Sequence, residues 1–351
     1  MRVLITGGAG YLGTELAYRL VERSDVSEVV IYDNLARPNY NLFIGRQKFP
    51  ENKVRFIKGD LLDSRKLRSS LQGIDVVYHL AAKVTKPFSD HNPHLLEQVN
   101  HWGTAELVYA VEESDVSNLV YVSSTAVYGT SGEDVMVETP PHPTTYYGIS
   151  KLRGEEHVTR LQQKMSASIV RAANVYGYSK SMRFEARINR MMFEAAAGQK
   201  VTVSGSGDQT RAYIHIDHVT DCLEAFLSEA IAPDTYNLVT RNLSIHEITD
   251  GVTAVFPEAE LLYISQHIGT EDHQRTHADP AAGDPAPGGT QVLLTGSQHT
   301  EDDGQSDEQE DKGVGPEASG HPPCHYPIIK RPTIHDASIR KPFGWSVPCL
   351  S

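Results

Sequence analysis

The sequence predicts an α/β fold: a doubly wound parallel sheet with a smaller C-terminal substrate lobe. Three observations predict it. Continuous Val/Ile/Leu runs alternate with amphipathic helical stretches over the first 264 residues, the pattern of parallel strands covered on both faces. A Gly-rich turn joins the first run to the first helix. After residue 175 the alternation loosens into longer loops, which marks the second lobe.

Arg2–Thr6 reads as the first strand, and Leu12, Leu16, Leu20 and Val21 give 11–23 helical spacing. Glu28–Tyr32 is a second strand ending at Asp33. Strands follow at Val54–Ile57, Val76–Leu80, Leu119–Val122 and Ala167–Val170, with long helices expected at 94–113 and 146–164. Further helices are expected near 183–197 and at 217–230. The domain reading is 1–175 for nucleotide binding, with 201–230 returning to it, and 176–264 for the substrate lobe. Met1–Ile5 runs straight into Thr6-Gly7-Gly8 without the apolar stretch of a signal peptide, so a cytoplasmic chain is expected.

The chain has 351 residues and a net charge of −13. An acidic chain repels phosphate backbones, which argues against a nucleic-acid partner. No apolar run approaches the roughly 18 residues of a membrane span. Cys222, Cys324 and Cys349 are too few and too scattered for a disulfide framework. Most of the charge is local: residues 265–326 hold twelve acids against two bases and only six large apolar side chains. That composition predicts an acidic, low-complexity, unpacked segment. His321, Cys324 and His325 within it fit no standard zinc spacing, so no metal is expected. Residues 327–351 form a basic, Pro-containing tail.

Thr6-Gly-Gly-Ala-Gly-Tyr-Leu-Gly13 satisfies G-x-G-x-x-G through Gly8, Gly10 and Gly13, and a second register through Gly7, Gly10 and Gly13. In a strand–turn–helix context such glycines let backbone approach a pyrophosphate at a helix N-terminus. Asp33 ends the second strand 20 residues after Gly13, where an acid meets the adenosine ribose hydroxyls. The expected cofactor is NAD, because a carboxylate repels a 2′-phosphate.

Tyr-x-x-x-Lys occurs three times, at Tyr147–Lys151, Tyr176–Lys180 and Tyr326–Lys330. Only the first opens a helical stretch; the second contains Gly177 and the third Pro327. At i and i+4 the two side chains share a helix face. An ammonium there is expected to lower the phenol pKa and make Tyr147 a proton acceptor.

These motifs, taken in order, resemble the extended short-chain dehydrogenase/reductase family, in its NAD-dependent sugar-nucleotide epimerase/dehydratase branch. The matches are TGGAGYLG at 6–13, Asp33-Asn34-Leu35, Gly59-Asp60-Leu61, His79-Leu80-Ala81-Ala82, Asn100 with Gly103-Thr104, Ser123 to Gly129, Tyr147 to Lys151, Arg171 with Asn174 to Gly177, Arg211 to Asp217, and Tyr236-Asn237. They cover about three quarters of the chain. The resemblance implies a Rossmann domain, with Gly7, Gly10, Tyr11, Leu12, Gly13, Asp33, Asn34, Asp60, Leu61, Leu80, Ala81, Ala82 and Asn100 at the cofactor. It implies Ser124, Tyr147 and Lys151 as the catalytic set, the last two also touching cofactor. Ser124, Thr125, Asn174 and Arg211 would contact a nucleotide-sugar substrate. It also implies a homodimer through the helices at 94–113 and 146–164.

The 4,6-dehydratases of this branch carry Asp-Glu directly after the catalytic Ser/Thr, and the decarboxylases a Glu at the second position. Here Thr125-Ala126 stand there. The expected activity is therefore epimerisation. A dehydratase, reductase or dehydrogenase of the same family is the alternative, and a non-catalytic NAD-binding protein a further one. The family continues past residue 264 with a folded part of its substrate lobe, where this chain has the acidic stretch. Calorimetry with both cofactors is expected to show NAD binding far more tightly than NADP; equal or tighter NADP binding would refute the role given to Asp33.

Overall fold

In the computed structural model, the described residues are 1–37, 40–44, 48–50, 52–84, 92–227 and 231–264, with backbone alone for 131–134, 274–276 and 295–296. β1 (Arg2–Thr6), β2 (Glu28–Asp33), β3 (Val54–Lys58), β4 (Val76–His79) and β5 (Asn118–Ser124) alternate with α1 (Tyr11–Glu22), α2 (Asn41–Ile44), α3 (Ser64–Ser70), α4 (Pro93–Leu96) and α5 (Gly103–Glu112). β6 (Ser131–Val135), α6 (Tyr146–Gln162), β7 (Ser166–Ala172) and β8 (Asn174–Tyr176) follow. Next come α7 (Arg187–Ala196), β9 (Val201–Ser204), β10 (Thr210–His215), α8 (Ile216–Ala225), β11 (Thr235–Leu238), β12 (Arg241–Ser244), α9 (Ile245–Val255) and β13 (Leu261–Ile264). β14 (Gln274–Thr276) and β15 (Thr295–Gly296) are short.

The main sheet runs β15-β11-β7-β5-β4-β1-β2-β3. Its seven longer strands are parallel, and only β15 is antiparallel, against β11. The expected doubly wound sheet is therefore present. β1 shows why its sequence is apolar throughout. Val3 and Ile5 pack on one face with Leu16 and Leu20 of α1 and Val219 of α8. Leu4 packs on the other with Leu67, Leu107, Val108 and Val158. The strand order reverses between β1 and β4, so the loops leaving their C-terminal ends part and leave a crevice.

Two smaller sheets, β12-β10-β8 and β13-β9, build the second lobe. Within 201–230, α8 packs on α1, whereas β9 and β10 belong to these small sheets. β11, from the range assigned to the substrate lobe, joins the main sheet beside β7. The helix expected near 183 begins only at Arg187, which leaves Arg183 in the preceding loop. Of 265–326, only β14, paired with β6, and β15 are among the described residues. The rest of that segment and 327–351, with Tyr326–Lys330 and His321–His325, lie outside them. No described helix is long and apolar enough to cross a membrane.

The helix expected at 94–113 is one run, interrupted by a π-helical turn at Glu97–Trp102. It lies against α6, and both Trp102 and Tyr109 are exposed. Gly154 allows the close approach. A Cβ there would lie 2.5 Å from Tyr121 Oη and 2.9 Å from Asn100 O. Gly154→Ala is expected to cost about 1–3 kcal/mol by overpacking, despite the roughly 1 kcal/mol that alanine gains in a helix. Urea unfolding reads the sign, and a raised midpoint would refute the contact.

Candidate active site

A cleft of about 1430 Å³ opens at the C-terminal ends of the parallel strands. Gly7, at the end of β1, sits at φ 69° with its amide on Tyr32 O at 2.8 Å. A Cβ at Gly7 would lie 2.6 Å from Ala81 N. Only bare backbone can lie so close to the end of β4. No side chain caps α1 at Gly10, so its first amides point at the cleft without a local acceptor. That is a floor suited to a pyrophosphate.

Asp33 bridges this floor to its own loop. Its carboxylate accepts from Ala9 N at 3.1 Å and from Leu35 N at 2.8 Å. Burial raises its pKa, and those two amides oppose the rise. Asp60 accepts from Asn34 Nδ2 at 2.8 Å and Leu62 N at 3.0 Å, so Asn34 and Asp60 form one acceptor-rich edge. Arg37 also lines the cleft, but it reaches across to Glu185 at 3.0 Å and Met182 O at 3.1 Å.

The corner that holds the candidate catalytic residues is set by a helix cap. After Pro140, Pro141 and Pro143, Thr145 Oγ1 accepts from Gly148 N at 3.1 Å and starts α6. Tyr147 thus falls in the first turn, partly exposed to the cleft, and Lys151 one turn deeper. Ser124 ends β5; its hydroxyl accepts from Ala126 N at 3.2 Å and contacts the Tyr147 phenol. Thr125, 2% exposed, follows in a short 3₁₀ turn.

The electrostatics differ from the sequence expectation. Burial raises the Tyr147 pKa, opposed by the Arg183 charge and then by the Ser124 contact. The Arg183 charge therefore favours the phenolate. Lys151 is 2% exposed and donates to Val122 O at 2.7 Å, with its Nζ 4.3 Å from the Tyr121 ring centroid. Burial pulls it down to about 7, against the upward pull of Glu155.

A buried chain supports this corner. Thr104 Oγ1 donates to Asn100 O at 2.7 Å, so it accepts from His79 Nε2 at 2.9 Å. His79 Nδ1 then accepts from Thr6 Oγ1 at 2.7 Å, and Thr6 Oγ1 from Ala81 N at 3.3 Å. The chain fixes one tautomer of a neutral imidazole, whose pKa burial lowers to about 3.

Gly7, Gly10, Tyr11, Leu12, Gly13, Asp33, Asn34, Asp60, Leu61, Leu80, Ala81, Ala82, Ser124, Thr125, Tyr147, Lys151, Asn174 and Arg211 all line the cleft. Asn100 does not. It is fully buried, and its amide holds Lys83 N at 2.8 Å, Lys83 O at 2.9 Å and Ser150 Oγ at 3.0 Å. Through these bonds it shapes the wall at Lys83. Tyr176, of the second Tyr-x-x-x-Lys, packs edge-on against Tyr213 and His215. Its Lys180 lies over the Tyr18 ring. Sequence reasoning missed Arg183, Arg187 and Arg190, which line the opposite wall. Their spacing at i, i+4 and i+7 was the available signal.

The model of the "NAD dependent epimerase/dehydratase family" matches residues 3–238. The chain belongs to that family, whose cofactor is NAD, and the Gly-rich floor with Asp33 fits such a group. Human dTDP-D-glucose 4,6-dehydratase is 35% identical over 234 residues, 65% of this chain and 65% of that protein. The chain thus spans about two thirds of the length of that relative. UDP-glucose 4-epimerase of Mycolicibacterium smegmatis is 30% identical over 236 residues, 63% of this chain and 71% of that protein. The fold also matches UDP-glucuronic acid 4-epimerase from Bacillus cereus, solved with UDP-glucuronic acid and NAD. The TM-score is 0.70 at 24% identity, over 80% of this chain and 91% of that one.

Tyr147→Phe is expected to keep the fold and NAD binding and to lower turnover by about 10²–10⁴, the usual share of general acid–base catalysis. Tyr176→Phe is expected to stay active. Near-normal turnover in Tyr147→Phe would mean that another group moves the proton.

Proposed function

We propose that the chain is an NAD-dependent epimerase of a nucleotide-activated sugar. The observation that carries this reading is the Tyr147 phenol facing the cleft in contact with Ser124, with no carboxylate at Thr125 or Ala126. When bound, NAD supplies the hydride acceptor and donor of this chemistry. Tyr147 Oη takes the proton from a sugar hydroxyl and later returns it. Ser124 Oγ orients that hydroxyl beside the phenol, and Arg183 steadies the phenolate while it lasts. Gly7, Gly10 and Gly13 hold the pyrophosphate, Asp33 the ribose, and Leu80–Ala82 the inner wall.

The substrate lobe suits a diphosphate. Arg183, Arg187, Arg190 and Arg211 line it with Asn174, whose Nδ2 is held by Ala212 O at 3.0 Å. Guanidinium groups are the preferred partners of phosphate oxygens. A wall of this charge supports a nucleotide sugar over a neutral one.

A 4,6-dehydratase is the second reading, favoured by the identity to the human enzyme. It requires an acid to expel the 6-hydroxyl. Among the described residues of the cleft wall the carboxylates are Asp33, Asp60 and Glu185. The first two lie at the ends of β2 and β3, and Glu185 is paired with Arg37. This distribution supports epimerisation.

A panel of UDP-glucose, UDP-glucuronic acid and dTDP-glucose, with products resolved by NMR, tests the reading. The expected result is one epimer pair interconverting without net NADH. A 4-keto-6-deoxy product would establish the dehydratase, and net NADH formation a dehydrogenase.

A further inference from the structure

Glu155 is not on the cleft wall, yet the groups that build the catalytic corner converge on it. It follows Lys151 by one turn of α6 and is 3% exposed. Its Oε1 accepts from Ser123 Oγ, immediately before Ser124 on β5. Arg171 of β7 donates to it three times, from Nε at 3.1 and 3.2 Å and from Nη2 at 2.8 Å. Arg171 Nη1 continues to Tyr128 Oη at 2.8 Å, and that hydroxyl to Asn237 Oδ1 at 2.7 Å. Meanwhile Lys151 Nζ holds Val122 O at 2.7 Å. Lys151 and Glu155, one turn apart, therefore grip consecutive residues of β5, and the next residue is Ser124.

The charges around Lys151 are few. From β4 it faces His79, which the hydrogen-bond chain keeps neutral; from β5, the Tyr121 ring. Tyr147 lies on its own helix. Arg171 of β7 is taken up by Glu155 and Tyr128. Among the described residues Glu155 is the one carboxylate that acts on Lys151, and it opposes the pull of burial towards the neutral amine.

We propose that Glu155 is a positioning residue of the site: from one turn beyond Lys151 on α6 it supplies the negative charge that lysine experiences and, through Ser123, holds Ser124 against the Tyr147 phenol. The role in turnover rests on the function proposed above. The role toward Lys151 does not.

Lysine labelled at ¹³Cε, with the Lys151 resonance assigned by its loss in Lys151→Arg, reads the Lys151 titration in the cofactor-free protein. Glu155→Gln keeps the shape and an acceptor for Ser123 but removes the charge. It is expected to move the Lys151 midpoint down by about one pH unit. Glu155→Asp keeps the charge and shortens the reach by one methylene. It is expected to leave the titration near wild type while turnover falls about 10²-fold, the scale of a displaced catalytic group. If Glu155→Gln does not fold, Glu155→Gln/Arg171→Met removes both buried charges, a replacement such sites often tolerate. The same downward move is expected, since Arg171 is not among the charges acting on Lys151. A Lys151 midpoint unmoved by loss of the carboxylate overturns the proposal, as does full turnover in Glu155→Asp. A wild type inactive on every sugar nucleotide refutes the functional reading alone, because the Lys151 titration is still read.

Discussion

An ion pair with almost no water around it, Arg171 to Glu155 with side chains 9% and 4% exposed, ties β7 to α6 and, through Ser123, to β5. Removing two charges from water costs several kcal/mol each, so such a pair contributes little net stability over apolar residues of the same volume. Its effect is on geometry. Arg171 donates from Nε, Nη1 and Nη2, so a slip of either strand or helix would strand a buried charge. Ser124, Tyr147 and Lys151 all hang from the elements this pair locks together.

The cleft built on that lock is electrically polarised. At its nucleotide-binding floor backbone amides donate and the carboxylates of Asp33 and Asp60 accept. The opposite wall carries Arg183, Arg187, Arg190 and Arg211. The two walls meet at the partly exposed phenol of Tyr147. In the proposed reading this polarity orients two phosphate-bearing ligands head to head, each with its reacting end toward that phenol. Tyr11 helps to set the distance between the walls. Its Oη donates to Gly177 O at 2.7 Å and accepts from Asn189 Nδ2 at 3.2 Å, and Asn189 also holds Arg183 O at 3.0 Å.

One physical cause moves both members of the Tyr-x-x-x-Lys pair. Burial disfavours the phenolate and the ammonium alike, so the phenol pKa rises and the lysine pKa falls. Helical spacing alone suggests that Lys151 sets the charge of Tyr147. In the folded chain Lys151 donates to Val122 O and lies over the Tyr121 ring, and the charge of a loop cation, Arg183, favours the phenolate.

The sequence by itself determined the parallel sheet, the Gly-rich floor, Asp33 at the end of β2, and that Tyr147–Lys151 opens a helix where Tyr176–Lys180 does not. These features are local. A strand run, a turn that only glycine can adopt, as at Gly7, or a capped helix start after prolines is written within a few residues. Tertiary structure alone decided the remainder. Asn100 matches a family motif, yet the π-helical turn buries it against Lys83 and Ser150. β11 lies far along the chain and still completes the main sheet beside β7. The charge of Arg183 acts on Tyr147 from another part of the chain, and Glu155 meets Ser123 and Arg171 from three separate elements. Such contacts join residues 16 or more positions apart. They depend on how whole elements pack around shared buried charges, and no short window of sequence records that packing.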